Sequence, residues 1–219
     1  MKKLLVIMSA LLFCSAVTAQ INKVKSELKS YLVLSAGPSF PLGDFGSTNE
    51  NNDYAGYGRT GFNIDLSYAY KIAPNIGIDI SGLYGNHSLD KKLTSLLSGA
   101  AVDHFQIVAF MPGVYVYQMA GDKAELGFRL RGGYATVNSP QFTYVGEVLV
   151  TEDWADAFIW GGGINMKLDV SKRAFVSANL DYLQTRPEFK VTDNTTNETI
   201  KAVQHIANLN LNAGFGFRF

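Results

Sequence analysis

Apolar and polar residues alternate along most of the chain, which is the pattern of β-strands that have one apolar face. Residues 59–72 show it most clearly, because Phe62, Ile64, Leu66, Tyr68 and Tyr70 alternate with Asn63, Asp65, Ser67, Ala69 and Lys71. The same alternation recurs in residues 75–85, 124–133, 157–170, 173–183 and 208–219. Residues 31–38 and 104–118 are apolar on both faces and complete a set of eight predicted strands.

The connections between these strands alternate in length. Short connections fall at residues 73–75, 119–123 and 171–173, and long ones at 41–58, 88–103, 139–153 and 187–203. Short turns at one end and long loops at the other are typical of transmembrane barrels. The pattern therefore predicts an all-β fold, an eight-stranded antiparallel up-and-down transmembrane β-barrel, with both termini on the periplasmic, short-turn side.

The residues on the polar faces favour a membrane barrel over a soluble one, which would be apolar inside. Glycine and small polar residues weaken a solvated strand but fit a crowded eight-stranded interior. The charged residues on these faces are Asp65, Asp79, Glu125, Arg129, Arg131, Lys167, Asp181 and Arg218. Because buried charges must pair, we expect an internal salt-bridge network and a plugged interior. A gating or selectivity role for Glu125, Arg129 and Arg131 is the alternative.

The apolar faces should contact lipid and end in aromatic girdles. The girdle residues would be Tyr68, Tyr70, Tyr84, Tyr115, Tyr117, Trp160, Tyr182 and Phe217. In the fourth strand, which is apolar on both sides, we expect the outward face to comprise Phe105, Ile107, Ala109, Met111, Tyr115 and Tyr117.

The N-terminus has the features of a secretory signal peptide: Lys2 and Lys3, an apolar stretch, and the small-residue site Val17-Thr18-Ala19. We expect the signal peptide at 1–19, a short periplasmic lead-in at 20–30, and the barrel domain at 31–219. The only cysteine, Cys14, lies within the signal peptide, so the mature chain should contain neither a disulfide nor a cysteine nucleophile. Without Lys2 and Lys3, the chain has 17 basic and 19 acidic residues. It has no basic stripe of the kind that binds nucleic acid.

The tail NLNLNAGFGFRF, with Asn212, Gly214, Phe217 and Phe219, resembles the C-terminal signal by which the assembly machinery recognises outer-membrane barrels. The stretch GPSFPLGDF at residues 37–45 is similar to the entry into the first loop of the outer-membrane β-barrel domain family, the small OmpA/OmpX-type and porin-family-like barrels. This resemblance implies a cell outer-membrane location and, as partners, membrane lipid, the barrel assembly machinery and periplasmic chaperones, with a monomeric state.

Candidate chemistry is sparse. His87, His104 and His205 each fall near the long-loop end of a strand, where a metal or catalytic site is conceivable, although incidental rim histidines are the better interpretation. No metal or phosphate-binding motif is present, so we expect no cofactor. The first long loop is acidic (Asp44, Glu50, Asp53) and could bind a divalent cation, but a solvated surface is favoured.

The second long loop has helical spacing. Ser88 is a possible N-cap, and the spacing of Leu89, Leu93, Leu96 and Leu97 predicts a short amphipathic helix at the rim or across the barrel mouth.

The chain as a whole is interpreted as a non-enzymatic outer-membrane barrel that presents four long extracellular loops. A rim-active enzyme that modifies lipid or peptide, a narrow solute channel and a soluble periplasmic barrel are the alternatives.

Overall fold

The computed structural model describes residues 29–52, 54–90, 100–102, 104–144, 147–150, 153–193 and 198–219. Eight long strands close into an antiparallel barrel: β1 (Ser30–Leu42), β2 (Gly61–Ala73), β3 (Ile76–His87), β5 (Phe105–Ala120), β6 (Ala124–Asn138), β9 (Trp154–Asp169), β10 (Ala174–Thr185) and β13 (Ile206–Arg218). The predicted fold is confirmed. The described residues contain no helix with the length and apolar composition needed to cross a membrane.

The last strand closes the barrel against the first. Leu34 pairs with Phe215 and Tyr31 with Arg218, and the backbone groups of Ser30 and Phe219 exchange hydrogen bonds of 2.9 and 3.1 Å. Closure leaves no unpaired barrel edge, which is the condition for strands to survive in hydrocarbon. The described chain ends therefore meet at the end of the barrel that carries the three short turns, as predicted.

A second sheet, which the sequence did not predict, lies at the end of the barrel opposite the short turns. Five short strands form a separate sheet: β4 (Ala100–Val102), β7 (Phe142–Tyr144), β8 (Glu147–Val150), β11 (Glu188–Asp193) and β12 (Glu198–Val203). Their order in the sheet is β12-β11-β8-β7-β4. All five come from the last three long connections, which therefore contain structure of their own. Most of the predicted helix in the second connection, residues 91–99, lies outside the described residues, as do the signal peptide and the lead-in up to residue 28.

The two faces of the barrel wall have opposite polarity. On β2, Leu66 is 48% exposed on the outside, whereas its neighbour Asp65 is 1% exposed on the inside. The exposed large side chains of the eight strands are almost all aliphatic or aromatic. A surface of this kind would be unstable in water over so large a continuous area, so it is suited to the hydrocarbon of a bilayer.

The predicted orientation of the fourth barrel strand, β5, is wrong. Its six residues expected to face lipid all point inward and are buried: Phe105, Ile107, Ala109, Met111, Tyr115 and Tyr117. The alternate residues, among them Val108, Phe110 and Val114, cover the outside. Pairing with β3 places Met111 beside the inward Ser81, and directly paired neighbours in a sheet must share a face. Tyr115 and Tyr117 therefore do not belong to the aromatic girdle.

Candidate functional site

The middle of the barrel interior is filled by two arginines and two aspartates from three strands. Arg129 donates two hydrogen bonds to the Asp181 carboxylate, at 2.8 and 2.5 Å. Arg131 donates to Asp65 at 2.7 Å and to Ser81 at 2.8 Å, and it lies 3.5 Å from Asp181. Bidentate and charge-assisted bonds of this kind offset the cost of removing the ions from water. The four charged side chains form a neutral belt across the interior.

A second ionic cluster, called the periplasmic cluster, lies in the half of the interior nearest the short turns, which is the predicted periplasmic side, and is centred on Glu125. Its carboxylate accepts hydrogen bonds from Lys71 and Lys167, both at 2.7 Å, and lies 3.8 Å from Arg218. Arg218 also donates to Asp169. Lys71 and Asp169 lie on the predicted polar faces of their strands, but the sequence alone did not indicate that they join the network.

Aromatic rings complete this periplasmic cluster. The cationic groups lie 3.9–4.8 Å from ring centroids, within range of a cation–π interaction. The three pairs at these distances are Lys71 on Tyr117, Lys167 on Tyr31 and Arg218 on Phe175, and Lys167 also lies 5.2 Å from the Tyr115 ring centroid. These rings pack in the space between the ion pairs, so the interior in this half is filled by side chains.

Asp79 differs from the other predicted network residues. Seven of the eight make ion pairs, whereas among the described residues Asp79 has no cationic partner within 4.0 Å. It lines a cavity of about 10 Å³ that Arg129 and Lys167 also border. A cavity of this size holds about one water molecule. The interior therefore brings the predicted charges together in two clusters rather than in one continuous network.

The half of the interior nearest the long connections, the predicted extracellular side, contains an apolar cluster that the sequence did not predict. Its centre is Phe45, a residue of the first long loop that is 0% exposed. The Phe45 ring makes edge-to-face contacts with the rings of His87 and Phe105, both at 5.2 Å between centroids. Ile107, Ile206 and further buried aliphatic side chains belong to the same cluster. The loop predicted to be a solvated surface thus inserts an aromatic side chain into the barrel mouth.

The three histidines occupy separate positions. His87 is buried and bonds to Ser39 Oγ through Nε2 (3.1 Å) and to the Arg59 carbonyl through Nδ1 (3.0 Å). His104 bonds to an amide side chain, and His205 lies 3.3 Å from Asp44. Among the described residues no group of three or more His, Cys, Asp or Glu side chains is arranged to hold a metal ion. Asp53, one of the three acidic residues of the first loop, lies outside the described residues.

The four residues of the predicted assembly signal are divided between the two faces of β13. Asn212 points inward and exchanges two hydrogen bonds with Asn63, at 2.7 and 2.9 Å. Gly214 also faces inward, where an added Cβ would lie 2.6 Å from the Cβ of Ser35. Phe217 and Phe219 point outward. Their role in assembly stays a prediction.

Comparisons with known proteins identify the fold. No family model matches the sequence, and no curated protein matches it. Among solved structures, the chain is similar to Neisserial surface protein A (TM-score 0.54, 12% identity, covering 87% of this chain and 97% of that one). It is also similar to the outer membrane protein OprG from Pseudomonas aeruginosa (0.55, 11%, 88% and 96%) and to a major outer membrane protein from Thermus thermophilus (0.55, 11%, 87% and 99%). The chain therefore has the fold of the small outer-membrane β-barrels, and the predicted location in the cell outer membrane agrees with this fold.

Proposed function

We propose that the chain is a non-enzymatic integral outer-membrane protein whose role is to present structure on the cell surface. The observation that carries this proposal is the filled interior. Ion pairs and aromatic rings occupy the periplasmic half and the middle, and Phe45 occupies the mouth. An interior committed to packing and charge neutralisation is a structural core. The part of the molecule left for recognition is then its extracellular end.

The extracellular end has enough structure to serve this role. The β11–β12 hairpin pairs Glu188 with Val203 and continues to Asp193 and Glu198. Lys201 donates a 2.6 Å hydrogen bond to Glu188, and this bond raises the pKa of the exposed Lys201 amine. Ordered strands lose less conformational entropy on binding a partner than a flexible loop would. The sheet is therefore a better recognition surface than an unstructured loop would be.

The partners follow from the same proposal. Outer-membrane lipid would cover the apolar exterior, and the assembly machinery and periplasmic chaperones would act on the chain before it is inserted. We propose a monomer, because the closed barrel wall has no free strand edge with which to pair with a second copy within the membrane. We expect no nucleic-acid partner, because the sequence contains no basic stripe.

Solute transport is the alternative that can be tested most directly. We expect the protein, inserted into planar bilayers, to show no steady conductance above that of the protein-free membrane, because the belt of Arg129, Arg131, Asp65 and Asp181 crosses the interior. Folding should be verified by a heat-modifiability gel, on which a folded barrel runs faster before boiling than after. A boiled sample and a protein-free bilayer are the controls. Stepwise conductance that disappears on boiling would show that the interior opens, and would replace the presenting role with a channel.

A further inference from the structure

The β11–β12 hairpin continues the β10–β13 pair of the barrel wall. Thr185 at the end of β10 pairs with Ile206, and three residues later Glu188 of β11 pairs with Val203 in the same register. A backbone hydrogen bond of 3.1 Å joins the two segments between these pairs. Because the register is kept, the face of β10 that points toward lipid continues upward as one face of β11.

This outward face changes from apolar to charged just beyond the end of β10. Leu180 is 42% exposed on the lipid-facing wall, and Tyr182 donates a hydrogen bond to Gln184 above it. The next three side chains on the same face are exposed and charged: Arg186, Glu188 and Lys190. The alternate residues are buried, among them Phe189, which belongs to the apolar cluster of the interior. The charged side chains therefore lie outside the barrel, in line with the residues that contact lipid.

Strand geometry places Arg186 at the level of the lipid headgroups. Leu180 lies in the middle of the lipid-facing series on β10. At ~3.3 Å per residue and a strand tilt of about 40°, the chain rises roughly 15 Å from Leu180 to Arg186 along the membrane normal. The apolar band of such barrels is about 25 Å tall, so hydrocarbon ends roughly 12 Å from its middle. Trp160 and Tyr182, whose ring centroids lie 6.1 Å apart, form the aromatic girdle just below Arg186.

The cations on this face are only partly neutralised by carboxylates. Lys190 lies directly opposite Lys201 of β12, and two like charges in that position repel each other. Glu188 accepts a 2.6 Å hydrogen bond from Lys201, which balances one of the three cations. Among the described residues, Arg186 and Lys190 have no carboxylate within 4.0 Å. Two positive charges are therefore left uncompensated directly above the lipid-facing wall.

We propose that the exposed face formed by Arg186, Lys190 and Lys201, called the basic face, binds the phosphate group of a lipid in the outer leaflet. A guanidinium matches a phosphate with two parallel hydrogen bonds, and the lysines add point charges farther from the membrane. The acyl chains of the same lipid would pack on the wall below, beside Leu180 and Tyr182. Continuity with the lipid-facing wall favours a lipid over a soluble anion. The proposal rests on the proposed function and deepens it, because it names the headgroup chemistry of one lipid partner.

The test compares a short-chain phosphatidic acid, which carries a phosphomonoester, with a phosphatidylcholine of the same chain length. Isothermal titration of the folded protein in an uncharged detergent, with protein-free micelles as the blank, should give at least about tenfold tighter binding of the phosphatidic acid, as charge-assisted hydrogen bonds imply. Arg186→Gln should reduce this preference to about threefold or less, because only the more distant lysines remain. The preference of the unmodified protein should also shrink as salt is added.

Arg173→Gln is the matched control for Arg186→Gln. Arg173 is an exposed arginine in the short turn before β10, at the opposite end of the barrel. Its replacement removes the same charge near the other membrane interface and should leave the preference within about twofold of the unmodified value, since isolated surface charges contribute little.

A preference for phosphatidic acid that is lost in Arg186→Gln and kept in Arg173→Gln supports the site, provided that all three proteins show the folded band on a heat-modifiability gel. Equal binding of the two lipids would overturn it, and so would a preference that persists in Arg186→Gln or falls equally in Arg173→Gln. Displacement of the lipid by inorganic phosphate at equal concentration would identify a soluble anion as the ligand and would also overturn the assignment to lipid. The conductance experiment that tests the proposed function depends on the interior of the barrel, so its outcome is independent of this titration.

Discussion

Replacement of Glu125 by glutamine is expected to lower the free energy of unfolding by about 3–5 kcal/mol, the usual cost of removing one partner from a buried ion pair. Glu125 is 1% exposed and is the shared acceptor for Lys71 and Lys167. Glutamine keeps the shape of the side chain but removes its charge. Lys167 would then lie buried and Lys71 partly buried, neither with an anion in contact, while Arg218 would retain Asp169.

The measurement is urea unfolding followed by the heat-modifiability gel shift, with Glu50→Gln as the matched control. Glu50 is an exposed carboxylate of the first long loop, so its replacement removes the same charge without disturbing an internal pair. The Glu50 variant should unfold within about 0.5 kcal/mol of the unmodified protein. If Glu125→Gln were equally harmless, the periplasmic cluster would contribute nothing to stability, and the view of the interior as a structural core would fail.

Replacement of Leu180 by arginine is expected to destabilise the folded barrel in a bilayer by about 2–4 kcal/mol, the cost of a lipid-facing cation near the midplane. Leu180 lies in the middle of β10, points outward and pairs with Ile164 and Leu211, which are also outward-facing. The described neighbours that pair with it on the wall are apolar, so they offer an arginine no anionic partner. The arginine must therefore either enter hydrocarbon or distort the bilayer.

Val170→Arg is the control for this second experiment. Val170 also points outward, but it lies in the short turn after β9, at the periplasmic end, where a cation should cost only about 0–1 kcal/mol. Both variants should be unfolded in lipid vesicles and compared with the unmodified protein. Equal stability of the two would indicate that Leu180 does not face hydrocarbon, and the alternative of a soluble periplasmic barrel would then be favoured.

The alternation of side chains was sufficient to predict the outward and inward faces wherever only one face is apolar. Leu66 and Asp65 are neighbours on β2 and must point to opposite sides, so their polarity shows which side faces outward and which faces the interior. The same logic cannot work on β5, where Val108 and Ile107 are equally apolar. There the hydrogen-bonded register with β3 decides the orientation, and register depends on residues about 30 positions away in sequence.

The charged residues of the interior show a second limit of prediction from the sequence. The faces that carry Arg131, Asp65 and Asp181 could be predicted, but the pairing could not, because β2, β6 and β10 come together only when the barrel closes. Asp79 illustrates this point: its residue type and face match those of its neighbours, yet no cation lies in contact with it among the described residues. Phe45 is the clearest omission, since its loop composition indicates exposure while its side chain is fully buried in the barrel mouth.

The amino-acid sequence by itself determined the number of barrel strands, their antiparallel order, the end of the barrel at which the short turns lie and the inverted polarity of the wall, because these depend on local periodicity and on the lengths of connections. Only the tertiary structure decided the orientation of β5, the partition of the charges into two clusters, the insertion of Phe45 and the presence of a second sheet. Each of these depends on contacts between segments distant in sequence, and such contacts exist only after the barrel has closed.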